Sequence, residues 1–193
     1  DEAWPAFLDA FEGGGDINQI PNILTHENAS ERLIKDPNTG QVLARPNSYN
    51  DRFSEMDSLP FLDRALIYDN TAFLHRPKRT HMASRGCPFR CQYCFEQDWN
   101  AAFAGKGRML QRYSVDRFLD ELELVGSHWD TRFWKFYDDV FPTFPNDINW
   151  LTEFAEKYWQ RIGLPFHCLT RCDLVMKNPQ VLDLLKEAGA ASI

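Results

Sequence analysis

The amino-acid pattern predicts an α/β fold built on a parallel sheet. Three observations carry that expectation. From about residue 77 onward, short apolar runs alternate with amphipathic stretches. Each amphipathic stretch is bounded by a capping residue, a proline or a glycine. The polar residues with distinctive chemistry fall where the predicted strands end, the usual place for reacting groups in such sheets.

Taken in order, residues 1–12 read as a short helix with Trp4, Phe7, Leu8 and Phe11 on one face, Pro5 in the first turn and Gly13-Gly14-Gly15 as its stop. Residues 16–68 keep neither period for long. Within them "KDPNTGQVLARP" reads as a turn followed by a short strand, and "NSYNDRFSEMDSLPFLDRA" as extended chain. "THMAS" is the first strand of the regular part. Ser114 then caps a helix whose inner face is Val115, Phe118, Leu119, Leu122 and Val125, with Asp116 placed to suit the dipole. "RFWKFY" is the next strand and ends at Asp138-Asp139. A second helix runs from about Asn146 through Ile148, Leu151, Phe154, Ala155 and Tyr158 to Gly163. "FHCLT" follows as a strand. Asn178-Pro179 open a third helix with Val181, Leu182 and Leu185, closed by Gly189, and "AASI" starts a fourth strand. The strand ends then carry a cysteine loop, Asp138-Asp139 and Arg171, all on one rim of the sheet.

Composition narrows the function classes. The 193 residues are 44% hydrophobic, enough for one domain with a core or a domain plus an appendage. A net charge of −7 argues against a surface built for nucleic acid. Positive charge is local: Arg76, Lys78, Arg79, Arg85 and Arg90 lie near the thiols in sequence, a solvated loop or a field for an anionic ligand. Five cysteines, an odd number with three in one loop, point away from a disulfide scaffold and toward a reducing, cytoplasmic setting. Neither a signal peptide nor a membrane span is expected. The chain starts at Asp1 without a methionine and is expected to be the middle of a longer protein.

The loop "SRGCPFRCQYCFE" sets Cys87, Cys91 and Cys94 at gaps of three and two. A structural zinc site takes four ligands, and the fourth would have to come from His167, Cys168 or Cys172, more than seventy residues away. A redox pair needs two thiols and leaves one idle. An iron–sulfur cubane held by three thiolates keeps one iron open, as catalysis requires, and is the favoured reading over zinc or unligated thiols. Cys168 and Cys172 are expected to be buried hydrophobes or inert thiols. His81 is expected to be satisfied by core hydrogen bonds, and the aromatic residues, 14% of the chain, to be core and interface material.

These residues resemble the radical S-adenosylmethionine superfamily. "CPFRCQYC" matches its three-cysteine loop, including Tyr93 before the last cysteine. "FYDDVF", "FHCLTRCDLV" and "LLKEAG" look like the subgroup that carries a cobalamin-binding domain ahead of the barrel, which includes the Fe-S oxidoreductases and anaerobic Mg-protoporphyrin monomethyl ester cyclase-like enzymes. In that subgroup an acidic pair replaces the Gly-Gly-Glu of many relatives. The resemblance covers residues 77–193 well; "FEGGGDINQIPNI", "TGQVLARPN" and "MDSLPFLDRALI" match more loosely, as the tail of a cobalamin domain and a linker. No Asp-x-His-x-x-Gly corrin motif is present, and the pattern stops as the fourth of six barrel strands begins.

The resemblance implies a partial TIM-like radical barrel over 77–193, its first three to four strands, behind an irregular extension over 1–76. It implies a 4Fe–4S cluster on Cys87, Cys91 and Cys94, with S-adenosylmethionine on the open iron cleaved to a 5′-deoxyadenosyl radical. Asp138 or Asp139, with Asp138 favoured, would hold the cofactor's ammonium and Arg171 its carboxylate, while Tyr93 and Phe95 would pack by the adenine. Strand alternation allows at most one of the two aspartates to face the cofactor. No catalytic residue is assigned. Cobalamin belongs to the intact protein rather than this fragment, which alone is expected to be inactive. Partners are a small-molecule substrate and an electron donor such as flavodoxin or ferredoxin, with no nucleic acid. The reaction is oxidoreductase or methyltransferase chemistry, methyl transfer or cyclisation. Alternatives are a methylthiotransferase acting on RNA and a non-catalytic zinc-stabilised module.

Overall fold

The computed structural model describes residues 2–29, 33–35, 37, 39–44, 48–142 and 148–193. In chain order the elements are α1 (Ala3–Gly13), α2 (His26–Ala29), β1 (Leu33–Lys35), β2 (Val42–Ala44), α3 (Ala65–Tyr68), β3 (Lys78–His81), β4 (Ser84–Arg85), α4 (Glu96–Ala102), β5 (Gln111–Arg112), α5 (Val115–His128), β6 (Phe133–Phe136), α6 (Ile148–Arg161), β7 (Phe166–His167), α7 (Cys172–Lys177), α8 (Gln180–Ala188) and β8 (Ala190–Ser192). They fall into two compact units, residues 1–54 with 91–108 and residues 55–90 with 109–193. Residues 91–108 group with the N-terminal segment.

In the first unit, α1 ends where the glycine run predicts, at a left-handed Gly14. Its apolar stripe buries none of its residues; Trp4, Phe7 and Phe11 stack on one another at 5.2 and 5.9 Å. The strand expected in "QVLA" is β2, and it pairs antiparallel with β1, which the sequence pattern did not show. Arg52 anchors α4, donating from Nη2 to Asn100 Oδ1 at 2.9 Å and lying over the Phe103 ring at 5.3 Å.

The second unit holds a four-stranded, all-parallel sheet in the order β3-β6-β7-β8. Spatial order follows chain order, so each helical crossover returns the chain to the next position. Phe118 of α5 and Phe154 and Tyr158 of α6 pack on Phe136 of β6, and Tyr158 also meets Phe166 of β7. These helices therefore cover one face of the sheet with an aromatic core. The opposite face carries Lys135 and Tyr137, whose ring lies 4.2 Å from Lys135 Nζ. The inner face expected of α5 is buried as predicted, and Ser114 Oγ accepts from Arg117 N at 3.2 Å. The expected start of the second helix at Asn146 lies outside the described residues.

The first strand sits two residues earlier than "THMAS" suggests, at Lys78–His81. Arg79, placed by the sequence in a positive field near the thiols, is 1% exposed. Its guanidinium donates to the carbonyls of Phe73 (2.6 Å), Leu74 and Asp130 (both 3.3 Å) and lies over the Tyr68 ring. It is an interior tie. No helix among the described residues is long and apolar enough to cross a membrane.

Candidate functional site

The three strand ends of the second unit are joined pairwise. After β6 the alternation continues through the acidic pair: Phe136, Asp138 and Val140 are buried, whereas Tyr137 and Asp139 are exposed. Asp138 reaches back to the end of β3, where Oδ2 accepts from Ala83 N at 3.1 Å and Oδ1 from Ser84 N at 2.6 Å and from the Ser84 hydroxyl. Phe141 N donates to Leu169 O at 2.6 Å, tying the ends of β6 and β7. Arg171, beyond β7, lies 4.0 Å over the ring of Phe89 inside the cysteine loop. The rim expected from the sequence is thus a connected set of contacts.

The aspartates have unlike environments. Burial pushes the Asp138 carboxyl up to about 6, against the pull of its hydroxyl and amide donors. Both of its oxygens accept hydrogen bonds from the polypeptide. Asp139 is raised by burial and lies exposed on the Tyr137 side of the strand. Arg171 bridges to Asp173 from Nε at 2.9 Å and Nη2 at 3.2 Å.

All five cysteines are free thiols. Cys87 is buried in the second unit; Cys91 and Cys94 are half-buried in the first, because the division between units falls at residue 90/91. Cys94 N and Gln97 Nε2 both donate to Cys91 O, at 2.9 and 3.0 Å, making residues 91–97 a tight turn. Among the described residues no three His, Cys, Asp or Glu side chains already form a group that could hold a metal ion. The donor chemistry nevertheless fits an iron–sulfur centre: three reduced thiols within one short loop, none consumed by a disulfide. Tyr93 is 94% exposed and Phe95 68%, so both rings are open to a ligand. Cys168 is fully buried, and burial together with the Asp138 charge raises its thiol to about 12. Cys172 is exposed at the start of α7 rather than buried.

One constellation escaped the sequence reading. Glu121 lies on the inner face of α5 and is buried, with Arg117 Nη1 at 3.2 Å, His81 Nε2 at 3.3 Å and Arg64 Nη2 at 3.4 Å. Arg64 Nη2 also donates to His81 Nδ1 at 3.1 Å, which makes Nε2 the protonated ring nitrogen facing Glu121. Burial lowers the His81 pKa, so the ring is neutral. Burial alone would raise Glu121, but the ring N–H of His81 and the guanidiniums of Arg117 and Arg64 bring it down to about 2. The signal was a glutamate one residue from Leu122 on a predicted apolar stripe, which demands buried partners.

No protein-family model matches the chain, and no curated protein matches it in sequence. Among solved structures it is similar to the cobalamin-dependent S-adenosylmethionine radical enzyme OxsB. With aqua-cobalamin and S-adenosylmethionine bound, that structure gives a TM-score of 0.64 at 17% identity. The apo form gives 0.64 and the aqua-cobalamin form 0.63, each at 18% identity. Each match covers 97% of this chain and 25% of the other, so the chain spans about a quarter of the length of those enzymes. It has the mixed α/β, parallel-sheet fold of that part of a cobalamin-dependent S-adenosylmethionine radical enzyme.

Proposed function

We propose that the chain is the cluster- and S-adenosylmethionine-binding portion of a radical enzyme that uses cobalamin in its intact form. The joined rim supports this most directly: the cysteine loop, the acidic pair and Arg171 sit on neighbouring strand ends linked through Asp138, Phe141 and Phe89. The sequential parallel order of the strands supports reading them as the opening portion of a barrel.

In this reading Cys87, Cys91 and Cys94 hold a 4Fe–4S cluster. Bound there, the cluster supplies one-electron reductive cleavage of S-adenosylmethionine. The chain's own residues bind and orient. Asp139, exposed and less engaged than Asp138, accepts from the cofactor's ammonium. Tyr93 and Phe95 offer exposed rings to the adenine. Arg171, between Asp173 and Phe89, keeps the cysteine loop in place and presents positive charge beside it. Asp138 fixes the turn at residues 83–84 that launches the loop. A small electron-transfer protein such as flavodoxin or ferredoxin delivers the electron inside the cell, and a small molecule undergoes carbon-centred chemistry, methyl transfer or cyclisation.

The test is anaerobic reconstitution of the intact protein. About one 4Fe–4S cluster is expected, lost in each of Cys87→Ala, Cys91→Ala and Cys94→Ala. Stoichiometric zinc without iron, or a cluster that survives any of these substitutions, overturns the reading.

A further inference from the structure

The face of the sheet turned away from α5 and α6 carries a row of polar side chains that no step above uses. Thr80 lies opposite Lys135, Lys135 opposite His167, and His167 opposite Ser192 across the four parallel strands. Register partners on neighbouring strands share a face and stand about 4.8 Å apart. The four side chains therefore form one band across β3, β6, β7 and β8. Two contacts fit that arrangement. Lys135 Nζ lies 4.2 Å from the ring of Tyr137, two residues further along the chain, and His167 Nδ1 lies 2.8 Å from Ser192 Oγ.

The row is rich in donors and holds no acid to receive them. None of the four strands contains an Asp or Glu. Lys135 is half-buried and has no carboxylate within ion-pair distance among the described residues. Lys78, two residues before Thr80 on the same side of β3, adds a second ammonium. The Thr80 hydroxyl has no hydrogen-bond partner among the described residues. His167 and Ser192 share one hydrogen bond, and either tautomer leaves the pair a further N–H or O–H to donate. The first acid on this side beyond β6 is Asp139, four residues past Lys135 and so roughly 13 Å along the chain. Parallel sheets are covered on both faces. Whatever covers this one has to accept from an ammonium, hydroxyls and an imidazole, because a charge enclosed without a partner is costly. A single oxyanion meets all of these donors.

We propose that Thr80, Lys135, His167 and Ser192 bind an anionic oxygen group, a carboxylate or a phosphate, and that the substrate carries it. The second half of this assignment rests on the function proposed above; the first does not. Lys135 supplies the charge, and Thr80 and the His167–Ser192 pair flank it with further donors. Tyr137 stands between this anion and Asp139 along the strand. A substrate held by its acidic end thus extends past an aromatic ring toward the cofactor, and its charge stays more than a screening length from Asp139.

The intact protein is titrated calorimetrically with inorganic phosphate, acetate and neutral acetamide, with and without S-adenosylmethionine, and iron and sulfide are measured on the same samples. Phosphate or acetate should bind at least roughly tenfold more tightly than acetamide, and weaken with added salt. Lys135→Met should weaken the anion by about ten- to a hundredfold, the loss of one charge-assisted hydrogen bond, and leave iron content as it was. Lys135→Arg should keep most of the affinity. Thr80→Val and His167→Gln carry the test where Lys135→Met does not fold, each expected to cost about three- to tenfold. The tighter of the two anions identifies phosphate or carboxylate, and either supports the site. Binding of the anion together with S-adenosylmethionine supports a substrate site. Equal binding of acetamide, an unchanged affinity in Lys135→Met or in both of the other variants, displacement of the anions by S-adenosylmethionine, or no binding at roughly 10 mM overturns the inference. Anion binding in protein that never holds iron supports the anion site and overturns only the radical reading.

Discussion

At the residue scale the acidic pair divides its work. Asp138 accepts from two backbone amides and a hydroxyl with both oxygens. In Asp138→Asn one of those positions becomes an NH2 facing a donor, so the variant should lose about 1–3 kcal/mol of stability. Asp139→Asn has no such bonds to break among the described residues. It should leave the fold and iron content intact and weaken S-adenosylmethionine binding by about ten- to a hundredfold, the loss of one charge-assisted hydrogen bond. Spectroscopic titration of the reconstituted intact protein checks both; tight cofactor binding in Asp139→Asn would assign the amine to another group. The outlying thiols separate in the same way. Iodoacetamide at pH 8 followed by peptide mass mapping should find Cys172 modified and Cys168 untouched, because one is exposed and the other is buried with its thiol raised to about 12.

At the element scale two glycines give predictions of opposite sign. Gly189 closes α8 at φ +98°, and a Cβ there would sit 2.8 Å from the Trp159 ring. Gly189→Ala should therefore cost about 1–3 kcal/mol from backbone strain alone, with the displaced ring adding to it. Gly126 lies exposed within α5, where a Cβ meets nothing within 4 Å. Gly126→Ala should gain about 0.5–1 kcal/mol. Denaturant midpoints measure both. What the sequence made legible follows the same logic of length and period. α5, α6 and α8 are long enough to show a repeating apolar face, and the caps Ser114 of α5 and Gly189 of α8 could be read directly. α4 and α7, at 7 and 6 residues, complete fewer than two turns and offer no stripe to detect. β3 was misplaced because its sequence is Lys-Arg-Thr-His; Arg79 and His81 are buried by hydrogen bonding to carbonyls and ion-paired side chains, which no hydropathy pattern encodes. The rim was legible because strand ends in a parallel sheet align by topology. The split of the cysteine loop between two units depends on long-range packing and was not.

At the scale of the whole molecule, buried titrating groups give the stability a pH dependence whose signs can be separated. Asp138 is raised from 3.8 to about 6 on folding, so the folded state binds its proton more tightly. Its contribution is greatest below pH 3.8 and falls as pH rises through 6, by about 3 kcal/mol at 1.36 kcal/mol per unit. His81, lowered by burial, acts oppositely: acidification below 6.5 favours the unfolded chain. Glu121 is lowered from 4.5 to about 2, so its contribution is present above 4.5 and is lost as pH falls toward 2. Asp138 and His81 thus contest the window from pH 6.5 to 4, and the parent curve alone does not separate them. A difference curve does. The stability of the parent minus that of Asp138→Asn should rise by up to about 3 kcal/mol between pH 7 and pH 4, since only the Asp138 term differs. The parent minus Glu121→Gln should fall between pH 4.5 and pH 2, from a starting value near 3 kcal/mol set by leaving Arg64 and Arg117 without their carboxylate. Guanidinium unfolding at half-unit pH steps provides both curves. A flat Asp138 difference would mean that its carboxylate stays ionised throughout, solvated rather than enclosed behind the turn at residues 83–84, and the connection between the first two strand ends would then be weaker than its geometry indicates.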